Sequence, residues 1–183
     1  MANGARETRG RASGVPLAGL SILLSAAAAL LILLGASTWA GVAALAAAVL
    51  QAAAASGGQT GRARLLWGAG GPLADAGVLA PIAWVYRASD PAVAALALVT
   101  LGCCLVASYE RARGVALGYR IASMWGLRLA RQVAVGVGVI AGGAALAGAL
   151  WIALALAAIS LVVRAVDVAT HQAAPSSEGG RGA

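Results

Sequence analysis

Long runs without a single charge decide what this chain can become. Residues 15–34 form a stretch of 20 with no Asp, Glu, Arg or Lys, and at 1.5 Å per residue a helix of that length covers about 30 Å, the hydrocarbon thickness of a bilayer. Residues 133–163 run 31 positions without a charge. One helix of that length would extend about 47 Å, too long for a comfortable crossing, so the run divides into two spans joined by a tight turn near Gly148. Three further apolar segments, 39–55, 73–86 and 91–108, lie between these runs, the last opened by a proline suited to a first helical turn. With span five starting near Leu127 and span six at about 149–166, the expected fold is an all-α integral membrane protein. Six transmembrane helices then occupy residues 15–168. A mean hydropathy of +0.88, with only 10% charged residues, lies well outside the range of soluble domains.

The flanks are different in kind. Residues 1–14 carry Arg6, Arg9 and Arg11 among glycines with no hydrophobic periodicity, which predicts a disordered basic arm that can rest on anionic lipids. Residues 169–183 read as a disordered polar tail. A cleaved signal peptide competes for 15–34, since arginines precede it and small residues follow. The run exceeds the about 7–15 residues of a signal core, however, and another apolar segment follows at once. Between spans four and five lies "YERARGVALGYRIASMWGLRLAR", a basic linker that can be partly an interfacial helix. Its Arg128 and Arg131 fall in the first turns of span five.

Six spans agree with the charges. If the N-terminus is cytoplasmic, twelve of the 13 basic residues, all arginine, fall inside and only Arg87 outside, the asymmetry of the positive-inside rule. An odd number of spans loses this agreement. The expectation is a multi-pass protein of a bacterial inner membrane with both termini cytoplasmic. Arginines scattered in short groups suit orientation in a membrane better than phosphate tracking, so nucleic acid is not the expected partner of the +7 net charge. His171, the single histidine, sits in the tail, which leaves no imidazole base for a nucleophilic triad in the membrane region. Cys103 and Cys104 are adjacent within an apolar run and read as buried fillers, neither a disulfide framework nor a metal site. Gly138 and Gly142 satisfy G-x-x-x-G, but among 25 glycines chance accounts for this equally well.

One stretch interrupts the apolar pattern on the cytoplasmic side, between spans two and three: "AASGGQTGRARLLWGAGGPLADAGVL". Its spacing resembles the D-x2-D-G-x2-A-R-x8-G-x3-D-x3-D signature of the CDP-alcohol phosphatidyltransferases, membrane enzymes of phospholipid biosynthesis. In this register Gly58, Arg62, Gly71 and Asp75 match, and Gly61 replaces Ala. Ala54, Gly57 and Leu79 stand where aspartates belong. The family has six transmembrane helices with cytoplasmic termini, its motif runs from the second helix into the third, and "WGLRLARQVAVG" is similar to the glycine and basic residues that begin its fifth helix and help bind phosphate.

The resemblance implies a mechanism in which aspartates from two helices hold divalent metal ions, Mg2+ or Mn2+, the CDP pyrophosphate binds them, and the last aspartate takes a proton from the attacking alcohol. Residues four apart share a helix face, so carboxylates at 75 and 79 would point together. Here that face carries Asp75 alone, and Leu79, at the base's position, offers no oxygen to a cation that demands several. The expectation is a degenerate, non-catalytic member with no metal site. Asp75 near a helix start gains from the dipole there, and Arg62 can pair with it to close the cytoplasmic mouth. Alternatively Gly58, Arg62, Gly71 and Asp75, with Arg128 and Arg131, shape a pocket for a CDP-alcohol or a lipid phosphate head group, glycines allowing close backbone approach and arginines forking onto phosphate. Membrane lipids and a second copy in a homodimer are the other implied partners. Two further readings stand beside this one: a divergent active transferase that moves a phosphatidyl or phosphoalcohol group, and an unrelated small scaffold or transporter-like bundle packed by small residues.

Overall fold

The computed structural model describes residues 14–56, 61–117 and 124–170, which form six α-helices. These are α1 (Gly14–Leu33), α2 (Ser37–Ser56), α3 (Gly61–Tyr86), α4 (Pro91–Ala116), α5 (Trp125–Ala141) and α6 (Gly143–Thr170). Four of them, α1, α2, α4 and α6, are long and apolar enough to cross a membrane. The remaining two supply the central ion pair: α3 contains Asp75 together with Pro72 and Pro81, and α5 has 17 residues and contains Arg128 and Arg131. The basic arm at 1–13 and the tail at 171–183 lie outside the described residues, whereas Ala169 and Thr170, assigned to the tail on sequence grounds, continue α6.

The helices close into a ring in the order α1, α2, α5, α6, α4, α3 and back to α1. Small side chains make the ring tight. The inner face of α2 is Ala40, Ala44, Ala47, Ala48, Gln51 and Ala54, all buried and recurring at helical spacing. Ala28 of α1, Leu79 and Ile82 of α3, Ala97 of α4, Val135 and Val139 of α5, and Leu150 and Ala153 of α6 complete the core. Outside, the large apolar residues are bare: Leu23 and Leu30 of α1, Val99 of α4, and Trp151 and Val162 of α6 are among the exposed ones. An apolar exterior around small residues and buried polar groups is the surface of a helical protein solvated by lipid.

Local chemistry sets the helix ends. Asp90 caps α4 by accepting a 3.1 Å hydrogen bond from the Val93 N–H, and Pro91 follows at the first position, where no amide donor is needed. At the end of α3 the Arg87 guanidinium lies 3.8 Å from the centre of the Trp84 ring.

Three boundaries differ from the sequence expectation, the first being that α3 begins at Gly61 and not near Leu73. The linker after span four is helical as far as Ala116, so Tyr109 to Ala116 belong to α4. The turn between the last two helices falls at Gly142 and Gly143, not near Gly148. Dividing the apolar run into equal spans placed the turn too late, because α6 extends beyond its apolar part to Thr170 and has 28 residues. Gly142 has φ 67° and ψ −174°, a region essentially reserved for glycine, whereas Gly148 lies inside a helix with open space where a Cβ would stand. Replacing Gly142 by Ala should therefore cost about 1–3 kcal/mol, and Gly148→Ala should be neutral or stabilise by up to about 1 kcal/mol. Thermal unfolding in detergent distinguishes the two positions, and the reverse order would place the turn at Gly148.

Candidate anion-binding site

Asp75 projects from the middle of α3 into the ring and is 5% exposed. Across the ring, α5 presents Arg128, Arg131 and Gln132, which share a face because they are three and four residues apart. Arg131, 6% exposed, donates a 2.7 Å hydrogen bond from Nη2 to Asp75 Oδ2. The Arg128 Nη2 lies 3.8 Å from the same oxygen, close enough to feel its charge but too far to bond. Gln132 donates through Nε2, at 3.4 Å in each case, to Asp75 Oδ1 and to Gln51 Oε1 on α2. One carboxylate thus holds three side chains of α5.

This layer divides the ring. On the α1/α2 side, a cavity of about 20 Å³ touches Asp75, Arg131, Gln132, Ser25 and Leu79, enough volume for about one water molecule. On the α4/α6 side, a larger cavity of about 300 Å³ opens among α3, α4, α5 and α6. Arginines from three helices line it: Arg111 from α4, Arg128 and Arg131 from α5, and Arg164 from α6. Ser108 and Ser160 add hydroxyls, Val115 and Trp125, both exposed, add apolar surface, and no carboxylate is among the described lining residues.

The arginines are not equally committed. Arg164 is 9% exposed and donates to the Ala107 carbonyl of α4 through Nη1, while its Nε is buried with no partner. Nε and Nη2 of Arg128 are likewise buried and unbonded. A buried donor left unpaired costs about 1–3 kcal/mol, more when charged, so these two guanidiniums carry unmet demand for an acceptor. Guanidinium groups answer that demand best with phosphate or carboxylate oxygens.

The sequence-predicted residues separate accordingly. Asp75, Arg128 and Arg131 come together. Gly71 lies one turn before Asp75 on α3, and a Cβ there would collide with the Arg128 guanidinium. Leu79 is buried one turn after Asp75, and Ala54 is buried on α2. Gly57 and Gly58 lie outside the described residues, and of Gly61 and Arg62 only their place in the first turn of α3 is described. The expected helix-start dipole does not act on Asp75, which sits 14 residues beyond Gly61, since that effect fades within the first turn. Its partners are Arg131 and Arg128 of α5.

Sequence reasoning passed over Gln51, Gln132 and Arg164. Gln132 could have been found from its i+4 relation to Arg128, and Arg164 from its place within the apolar run of α6.

The donor set does not fit a divalent cation. Asp75 is already engaged by two guanidiniums and an amide, and neither Leu79 nor Ala54 has a side-chain oxygen. What the arrangement can do is hold an anion. Removing Asp75 alone leaves Arg131 buried without its counter-charge, so Asp75→Ala should destabilise by about 3–5 kcal/mol. Asp75→Ala combined with Arg131→Ala should lose less than the sum of the single losses, as measured by unfolding in detergent; strict additivity would mean that the two groups are not coupled. No family model matches the chain, and no curated protein or solved structure is significantly similar to it.

Proposed function

We propose that this is a six-span membrane protein with the architecture of a CDP-alcohol phosphatidyltransferase, in which a metal-dependent transfer site has given way to a guanidinium-lined cavity that binds a phosphate head group without catalysis. The observation that carries this reading is the convergence of Arg111, Arg128, Arg131 and Arg164 on one cavity of about 300 Å³, with buried donors of Arg128 and Arg164 lacking hydrogen-bond acceptors. Metal-dependent transfer needs several free carboxylates and a base, and the one carboxylate in this layer is held by arginines. The lining suits a head group at a membrane surface. The cavity lies toward the C-terminal end of α4 and the N-terminal end of α5, where cytoplasmic ends are proposed, and Trp125 at its edge offers an apolar ring to lipid.

The test is binding by the purified full chain. Inorganic pyrophosphate titrated into detergent-solubilised protein represents a soluble ligand, and nanodiscs of phosphatidylcholine with a fraction of phosphatidic acid represent a lipid head group. At least one probe should bind, EDTA should leave the Kd unchanged, and Arg164→Ala should weaken it about tenfold or more. Binding of neither probe would leave only a scaffold. Mg2+-dependent turnover of a CDP-linked donor, abolished by EDTA, would make the protein an active transferase and overturn the proposal.

A further inference from the structure

We infer that Gly71 is the seat of Arg128, and that the missing side chain at position 71 admits the guanidinium that grips the anion. The inference rests on the anion-binding reading above and assigns the residues that set its affinity. A Cβ built on Gly71 would overlap Nη1, Nη2 and Cζ of Arg128, so the guanidinium meets the α3 backbone with its Nη1 and Nη2 edge, in the space that a side chain at position 71 would fill. Gly70, its neighbour on the same helix, has room: a Cβ there meets only Ile22 at 3.6 Å and 3.7 Å, ordinary van der Waals contact.

The position of Arg128 matters because its commitments differ from those of Arg131. Arg131 is bonded to Asp75 at 2.7 Å. Arg128 is held near the same carboxylate without a hydrogen bond, its side chain is 23% exposed, and its buried Nε and Nη2 have no hydrogen-bond partner. It also borders both the large cavity and a small one of about 20 Å³ beside Gln51 and Gln132. Arg131 is thus the structural partner of Asp75, and Arg128 is the arm left for the ligand. Gly71 is a positioning residue: it touches no ligand and acts by letting this arm lie inward. The glycine matched to the transferase signature serves a side chain of this chain and leaves no open backbone there for a nucleotide.

A double-mutant cycle with a matched control tests this, using inorganic pyrophosphate and phosphatidic acid nanodiscs on the full chain. Gly71→Ala should weaken binding of whichever probe the wild type holds by about tenfold or more. Gly70→Ala should change it by less than about twofold, and Gly71→Ala placed in an Arg128→Ala background should also change it by less than about twofold. If Gly71→Ala fails to fold, the double variant should fold, because the collision is gone. An unchanged affinity in Gly71→Ala, an equal loss with Arg128 removed, or a double variant that still fails to fold overturns the inference. A wild type that binds neither probe overturns the anion-binding reading itself, an outcome distinct from these. An effect seen with pyrophosphate alone identifies a soluble phosphate as the ligand, and one seen with phosphatidic acid alone identifies a lipid head group.

Discussion

The contact between Asp75 and Arg131 is the constraint to which the rest of the structure conforms. Both groups are buried, and the attraction between them acts where water screens little. Such a pair adds little net stability over a well-packed apolar substitute, yet any arrangement that separates its members leaves an uncompensated charge, at about 3–5 kcal/mol. It therefore penalises every register of α5 against α3 except one. These two helices are not ring neighbours, so long side chains have to bridge them. Arg131 and Gln132 do this directly, while Arg128 reaches across only because α3 offers bare backbone at Gly71.

That bridge explains the composition of the other helices. A ring held by charges at its centre needs walls that approach closely without filling the middle, and alanine on α2 and glycine at the crossings supply them. Where Gly136 of α5 passes Leu45, an added Cβ would stand at 2.8 Å from the leucine side chain. Association between helices in lipid draws on such close packing, since a leucine gains little by exchanging lipid for a neighbouring leucine. The large apolar residues accordingly face outward, and the alanine-rich composition becomes a packing device.

Much of the fold was legible in the sequence because the relevant signals are local. Uncharged runs located the apolar helices, and Pro91 marked the start of α4. The end of α5 was misplaced by six residues, because equal division of an apolar run ignores backbone conformation, and only Gly142 and Gly143 among the nearby glycines take positive φ. The site was half legible. Asp75 and the arginines of α5 could be singled out, but their pairing joins positions 56 apart in sequence, which spacing cannot reveal. The dipole argument depended on a helix start at Leu73 that lies instead at Gly61. Arg164 escaped notice because orientation alone accounted for it.

On the function proposed above, the electrostatics of the layer let a phosphate be recognised without a metal ion. In the architecture that the motif resembles, carboxylates attract divalent cations and the cations attract pyrophosphate, so the acidic residues serve the anion at second hand. With Ala54, Gly57 and Leu79 at the positions where the resemblance would put aspartates, the sequence carries no carboxylate there to offset the charge of the arginines. The remaining carboxylate then orients guanidiniums, and the field in the adjacent cavity keeps its positive sign. Fixed guanidiniums can hold a phosphate but supply neither a Lewis acid with open coordination positions nor a base for an incoming alcohol. Recognition without transfer is the chemistry we propose for this layer.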